Sequence, residues 1–243
     1  MTLLFNPSLL QKVQEAIAEK PGQTGYPPFF RWNELLYQTP YVQWPQRLCQ
    51  TESLGIFFGV KPIKIMTVNS RLPLAPKIVL LDEDFFVMEN VGKTLQRVAK
   101  EEDYADVRLH AFTKAGEGLA RLHVLGLHHG RPALRDIAYH RENDSVTLLD
   151  WENEKKFIQA PAAVLDLFLF IHSCFREEWS DTSLLNAALA GYASVEGSKR
   201  TLKGLKNLIL DYNTLFYICH VLRPFGWIDV VSVDKARHYI SKL

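Results

Sequence analysis

The apolar pattern of this chain changes character once, near Gly92, and that change limits the folds open to it. Before Gly92, short apolar runs such as "PKIVLL" and "DFFVMENV" have the composition of strands, and "DED" forms a tight turn between them. After Gly92, apolar residues recur at helical spacing from Val107 to Leu122. The sequence therefore predicts an α+β fold of two lobes, a strand-rich N-terminal lobe of residues 1–92 and a larger helical C-terminal lobe of residues 93–243.

Several shorter segments carry local predictions. The opening residues through Lys20 have the spacing of an amphipathic helix, and "FFRW" has the composition of a short strand. A helix is predicted after Pro45 in "QRLCQTESLG", and "KPIKIMTV" is predicted as a strand. The residues after Pro161 are predicted to be mostly helical. In the last part of the chain, three aromatic residues are expected to be core: Tyr212, Phe216 and Tyr217.

The net charge and the cysteines exclude several classes of protein. A formal net charge of +1 offers no global attraction for nucleic acid or for an anionic membrane. The most apolar run, residues 162–175, is too short to span a bilayer and contains Asp166 and His172. Three widely spaced cysteines argue against a disulfide framework, and the first residues lack a signal-peptide pattern. We therefore expect a cytoplasmic protein with no transmembrane segment and no nucleic-acid partner.

One short segment of the helical lobe carries an unusual density of charge. "HHGRPALRDIAY" leads through the polar turn "ENDS" into "VTLLDWE", an apolar run with an aspartate near its end. Two strand-like runs joined by a polar turn predict an antiparallel hairpin. Asp136 begins this hairpin and Asp150 ends it, so both carboxylates should lie at the same edge of the sheet. Because carboxylate oxygens are suitable ligands for Mg²⁺, the pair is predicted to share one ion.

This order of motifs resembles the protein-kinase-like fold, in particular the bacterial lipopolysaccharide (Kdo) kinases and the aminoglycoside-phosphotransferase-like families. In such proteins a helix leads to a loop of the form H-G-D-x-x-x-x-N-I, and a hairpin then presents a metal-binding aspartate. "ARLHVLGLHHGRPALRDIAY" and "VTLLDWE" match that pattern at nearly every apolar position. The resemblance is clearest over residues 76–175 and implies a two-lobed fold that binds ATP with Mg²⁺.

The resemblance implies roles for particular residues of the loop and the hairpin. His129 opens the loop, Asp136 stands at the place of its asparagine, and Asp150 stands at the place of the metal-binding aspartate. The alternative, in which Asp136 is the catalytic base, would require this residue to lie further upstream of Asp150. Arg131 therefore occupies the position of the base, and an arginine cannot accept a proton at neutral pH. Asp166, on the next helix, is implied to clamp the loop.

The first lobe matches these families less well. "DFFVMENVGKTL" resembles the segment that joins the two lobes, which implies that backbone groups of Glu89 and Val91 contact adenine. The sequence contains no Gly-rich G-x-G-x-x-G phosphate loop. Arg31, Lys61 and Lys64 remain alternatives for the cation that contacts the phosphates.

Two functions follow from these assignments, and a third stays open. The first hypothesis is a divergent phosphotransferase that binds Mg²⁺-ATP through Asp136 and Asp150 and acts on a hydroxyl acceptor. The second is a pseudokinase, a binding or scaffolding module with a protein partner and no catalysis. The third is a helical protein without a nucleotide site.

The orientation of Arg131 separates the first two hypotheses. A guanidinium paired with Asp150 engages the lone pairs of the carboxylate and blocks a metal site, whereas one turned towards open space leaves that site free. Simpler roles also stay open. Asp150 has the properties of a turn residue, and Arg131 and Arg135 those of solvated charges or internal ion pairs. His123 and His129 are expected to hydrogen-bond backbone groups rather than to bind zinc.

Overall fold

A computed structural model describes most of the chain, and the chain divides into two compact units, Met1–Gly92 and Lys93–Leu243. Each unit is described by itself below. The residues that the structure describes are 11, 29–32, 35–38, 46–50, 54–58, 62–81, 85–89, 91–151, 158–177 and 181–243. The predicted helix through Lys20, except for Gln11, and the predicted turn "DED" lie outside the described residues.

The described residues of the first unit form two antiparallel sheets. Strands β1 (Phe29–Trp32) and β2 (Leu35–Gln38) pair with each other, so the strand predicted in "FFRW" is confirmed. The remaining strands form a sheet in the order β3-β4-β6-β5, in which β5 and β6 are the predicted hairpin. Their bounds are β3 Gln46–Gln50, β4 Leu54–Phe58, β5 Ile78–Leu81 and β6 Phe85–Glu89.

Two predictions for the first unit are wrong. The segment predicted as a helix after Pro45 forms β3 and β4, because β4 pairs with a strand on each side and this pairing outweighs the local preference of a polar stretch. "KPIKIMTV", predicted as a strand, forms the helix α1 (Pro62–Asn69). The helix begins at Pro62, where a proline is favoured because the first helical residue needs no N–H donor.

The second unit combines a small antiparallel sheet with a series of helices. Its sheet has the order β7-β8-β9 and contains the predicted charged hairpin, in which Ile137 pairs with Leu148. The strands are β7 Lys93–Thr94, β8 Ile137–His140 and β9 Ser145–Leu148. The helices are α2 Leu95–Val98, α3 Arg108–Val124, α4 Ala162–Arg176, α5 Ser183–Ser194, α6 Lys199–Asp211, α7 Asn213–Leu222 and α8 Ile228–Ile240. The described part of the chain is thus helix-rich with small antiparallel sheets, an α+β arrangement.

The core of the second unit centres on the contact between α3 and α5. Phe112 and Leu119 of α3 and Tyr192 of α5 are fully or almost fully buried. The two helices approach each other at glycines, since a Cβ built at Gly116 would lie 1.8 Å from the carbonyl oxygen of Ala188. This close approach brings Tyr192 next to the last turn of α3, where the charged loop begins.

The aromatic end of the chain differs from its predicted role. Phe216 is buried as expected, but the side chain of Tyr217 is 63% exposed, because α7 buries only one face. The helical segment is interrupted at Tyr212, whose hydroxyl both accepts from and donates to the backbone of Gln159. Of the helices that the structure describes, none is long and apolar enough to cross a membrane.

Candidate functional site

The charged loop follows the end of α3, and Asp166 of α4 accepts hydrogen bonds from its backbone. One oxygen of Asp166 accepts the backbone N–H of His129 at 2.6 Å, and the other accepts the backbone N–H of Gly130 at 2.9 Å. The carboxylate is fully buried, so these hydrogen bonds are made away from water. Asp166 therefore clamps the loop as the sequence analysis predicts.

Asp166 is in turn supported by a buried histidine and a buried tyrosine. The Nε2 atom of His123 lies 3.3 Å from Asp166, and its Nδ1 atom lies 2.7 Å from the hydroxyl of Tyr192. Burial by itself raises the pKa of Asp166. The hydrogen bond and charge of His123 and the backbone N–H of His129 have the opposite effect and together outweigh burial, so the pKa is lowered. The prediction that His123 hydrogen-bonds the backbone is wrong, because its two ring nitrogens contact the side chains of Asp166 on α4 and Tyr192 on α5.

His129 ties the loop to the end of the hairpin. Its Nε2 atom lies 2.5 Å from the carbonyl oxygen of Leu149, and a carbonyl only accepts, so this nitrogen carries the proton. Its Nδ1 atom accepts the backbone N–H of Arg131 at 3.3 Å. The ring also packs 4.7 Å from the ring of Trp151, which is buried. Because both ring nitrogens are engaged, His129 positions the loop and is not free to move a proton.

The predicted acidic pair lies on either side of the Arg131 guanidinium. The Nη2 atom of Arg131 donates to Oδ2 of Asp150 at 2.9 Å, and its Nε atom lies 3.7 Å from Oδ2 of Asp136. Arg135 approaches the other oxygen of Asp136 at 3.6 Å. Asp136 is fully buried, and the side chain of Asp150 is 6% exposed. Three predicted site residues, Arg131, Asp136 and Asp150, therefore meet at one guanidinium, and His129 contacts the backbone of Arg131 beside them.

Asp150 reaches this position through an uncommon backbone conformation. Its φ is +59°, in the left-handed region that costs a residue with a Cβ about 1 kcal/mol or more. The neighbouring contacts hold that conformation in place, since the indole N–H of Trp151 donates to the carbonyl of Leu148 at 2.7 Å. The backbone N–H of Leu149 also donates to the carbonyl of Asp136 at 2.7 Å. The strain is thus located where the hairpin presents its carboxylate.

The donor set has the oxygen ligands that Mg²⁺ prefers, but the arrangement does not fit the ion. A cation shared by Asp136 and Asp150 would need ligand distances of about 2.0–2.6 Å, and a positive guanidinium occupies the contact with Asp150. Among the described residues, no group of three or more His, Cys, Asp or Glu side chains is placed to hold a metal ion. In this arrangement the guanidinium of Arg131 contacts both members of the acidic pair.

The predicted nucleotide contacts lie in the other unit. Glu89 is the last residue of β6, Val91 follows it and is partly exposed, and Arg31 lies in β1 opposite Leu36. Their contact with adenine or phosphate stays a prediction, as does the choice among Arg31, Lys61 and Lys64.

Two residues that no sequence pattern indicated, Ser173 and Tyr192, hydrogen-bond to the loop or to the residues that hold it. Ser173 of α4 accepts the backbone N–H of Leu134 at 3.2 Å and so fixes the second half of the loop. Tyr192 supports His123 from α5. Neither has a local signal in the sequence, because a serine or tyrosine on an apolar helix face has the pattern of an ordinary core position.

Comparisons with known proteins give a sequence relative and structural neighbours. No protein-family model matches the chain. An uncharacterized protein of Haemophilus influenzae is 28% identical over 223 residues, which cover 84% of this chain and 88% of that protein. A choline/ethanolamine kinase family protein from Mesorhizobium loti is a structural neighbour with a TM-score of 0.44 and 10% identity, covering 95% of this chain and 94% of its own. A TM-score of that size does not establish a shared fold, so the contacts of the site have to support the functional proposal.

Proposed function

We propose that this chain is a divergent kinase-like protein in which Arg131 takes the place of the metal ion, and that it acts as a binding module rather than as a catalyst. The observation that carries this proposal is the 2.9 Å hydrogen bond from Arg131 to Asp150, with Asp136 on the other side of the same guanidinium. The clamp of Asp166 on the loop supports the kinase-like assignment, because it is the contact that the resemblance implies.

The charge of the site explains why an arginine can replace a metal. Two carboxylates brought together in a buried place repel each other unless a cation lies between them. A guanidinium is permanently charged and more weakly hydrated than an ammonium group, so it suits a partly buried position. Arg131 supplies this cation from within the chain, and the acidic pair is compensated without an ion from solution.

The same replacement leaves two requirements of phosphoryl transfer unmet. The reaction needs metal ions to neutralise charge on the β- and γ-phosphates, and a carboxylate to orient the attacking hydroxyl. Arg131 contacts the carboxylate that would hold the metal, and it stands where the resemblance places the base. A binding role with a protein partner therefore explains the retained loop architecture better than turnover does.

A Mg²⁺-ATP-dependent phosphotransferase acting on a hydroxyl acceptor is the second candidate. It is favoured by the retention of both Asp136 and Asp150 and by the exposure of Arg131, whose side chain is 37% exposed. A rotation of that side chain would uncover the acidic pair. In that case Mg²⁺ and ATP would compete with the guanidinium for Asp150.

Metal binding measured by calorimetry with Mn²⁺ distinguishes the two candidates. We expect no saturable Mn²⁺ binding and no ATP turnover by the natural protein, because the guanidinium competes for the carboxylate. Arg131→Met should bind Mn²⁺, and adding Asp150→Asn to that variant should abolish the binding. Arg121→Met serves as the matched control, since Arg121 is exposed on α3 and forms an ion pair with Glu117 of the same helix. ATP turnover by the natural protein that is lost in Asp150→Asn would refute the binding-module proposal.

A further inference from the structure

A cavity of about 350 Å³ opens beside the candidate site, within the second unit. Its walls come from the loop at residues 131–135, the last two turns of α4 and the first residue of α8. That volume is near the lower limit for pockets that hold small organic molecules. The function proposed above does not require a cavity at this position.

Arginines dominate the charge of this cavity. Arg131, Arg135 and Arg176 line it, and Glu177 is the one acidic residue among the lining residues that the structure describes. Glu177 already has two partners, since Lys100 lies 2.6 Å from one oxygen and the side-chain amide of Gln96 donates to the other at 2.7 Å. The carboxylate therefore offers little repulsion to an anion that enters.

Two of these arginines retain donors for such an anion. Arg135 contacts Asp136 through its Nε atom at 3.6 Å, beyond hydrogen-bond distance, and Arg176 contacts Asp229 through its Nε atom at 3.2 Å. In both pairs the Nε atom makes the shortest contact, and each guanidinium also carries two Nη groups that can donate. A guanidinium binds phosphate or carboxylate in a planar fork, and a partly desolvated guanidinium binds more strongly than a fully solvated one.

The rest of the lining is apolar or neutral. Leu134, Leu169 and Ile228 form an apolar wall. His172 also lines the cavity, where burial lowers its pKa and the nearby Asp229 opposes that effect only in part. The imidazole is therefore neutral at neutral pH, and the arginines set the charge of the cavity. A ligand that fits such a lining has an anionic end and an apolar body.

We propose that this cavity binds a small organic oxyanion, a molecule with a phosphate or carboxylate group held by Arg135 and Arg176 and an apolar part against Leu169 and Ile228. The inference does not depend on the metal-replacing role of Arg131, because neither Arg135 nor Arg176 contacts Asp150 in the described part of the chain. It adds a ligand chemistry to the second unit that the proposed binding function leaves unspecified.

Calorimetric titration of the full chain at constant ionic strength tests this inference. The probes are phenyl phosphate, benzoate and neutral phenol, which share a ring and differ in the charged group. We expect saturable binding of at least one of the two anions and none of phenol at the same concentration. Preference for phenyl phosphate or for benzoate identifies which oxyanion the arginines select. Equal binding of phenol, or no saturable binding of either anion, would overturn the proposal.

Three variants connect that binding to the two arginines. Arg135→Gln and Arg176→Gln should each weaken the binding of the anion about tenfold, which corresponds to the loss of one charge-assisted hydrogen bond. Arg200→Gln, at an exposed arginine of α6, should leave the affinity unchanged. Asp229→Asn removes the exposed carboxylate that competes for Arg176 and should tighten binding, a gain that misfolding cannot imitate. Unchanged affinity in both Arg176→Gln and Asp229→Asn would place any binding elsewhere on the protein.

Discussion

Asp166 shows at the scale of one residue how this loop is held. Its two oxygens accept the N–H groups of His129 and Gly130, and His123 contacts it from the side. A carboxylate has no donor, so it can face two N–H groups without conflict, whereas an amide presents an NH₂ group towards one of them. The loop conformation therefore depends on the charge state of a single buried side chain.

The substitution Asp166→Asn tests that dependence. We expect the free energy of unfolding to fall by about 3 kcal/mol, because a buried donor is left facing another donor and His123 loses its partner. Asp211→Asn, at an exposed position of α6, is the matched control and should change stability by less than about 0.5 kcal/mol. Urea unfolding followed by tryptophan fluorescence measures both. Equal stability of the two variants would show that the loop does not need the carboxylate.

At the scale of elements, the contact between α3 and α5 sets the base on which the loop stands. A Cβ at Gly116 would lie 1.8 Å from a backbone oxygen of α5, and one at Gly191 would lie 2.1 Å from the backbone oxygen of Thr113. Backbone atoms cannot rotate away, so any added methyl group forces the helices apart. The separation of the helices also places His123 against Tyr192, and hence affects the support of Asp166.

The substitution Gly116→Ala should destabilise the second unit by about 3 kcal/mol or more, despite the helix propensity of alanine, because overpacking against backbone is not relieved by a rotamer change. Gly204→Ala is the matched comparison. Its Cβ would lie 2.5 Å from Cγ2 of Val164, a side-chain methyl group that can shift more readily than backbone, so the loss should be smaller. Thermal unfolding of both variants gives the difference. A Gly116→Ala protein as stable as Gly204→Ala would contradict the close packing of the helices.

At the scale of the whole molecule, three titratable groups link stability to pH in the same direction: the buried Asp166 and Asp234 and the largely buried His172. Burial lowers the pKa of His172. Burial by itself raises the pKa of Asp234, but His220, Arg223 and Arg237 together outweigh burial. The pKa of Asp234 is therefore lowered, as is the pKa of Asp166. Each group therefore binds a proton more readily in the unfolded chain than in the folded one.

Stability should consequently fall on acidification in two stages. The contribution of His172 is present above its unfolded pKa of about 6.5 and is lost as the pH falls below that value. The contributions of Asp166 and Asp234 are present above about 3.9 and are lost as the pH falls through their lowered pKa values. Urea midpoints across this range measure the profile, and His172→Gln should remove the first stage alone. A midpoint that rises between neutral pH and pH 5 would contradict the buried, neutral state of His172.

The sequence by itself determined the local elements around the site. The apolar run "VTLL" and the polar turn before it predicted the hairpin, and helical patterns predicted α3, α4 and α5, because these patterns depend on neighbours a few residues apart. The clamp by Asp166 was predicted through the resemblance of its motif. The helix at Pro62 and the strands β3 and β4 were missed, since strand pairing and helix initiation there override weak local preferences.

Only the tertiary structure decided what the charged residues do. Arg131 was equally able to face open space or Asp150, and the position of its guanidinium depends on a hairpin that returns Asp150 to it 19 residues later. The basic cavity likewise joins Arg135 of the loop to Arg176 of α4, residues that no local pattern connects. Long charged side chains have many rotamers of similar energy, so which carboxylate or cavity they face is set by the packing of distant elements rather than by sequence spacing.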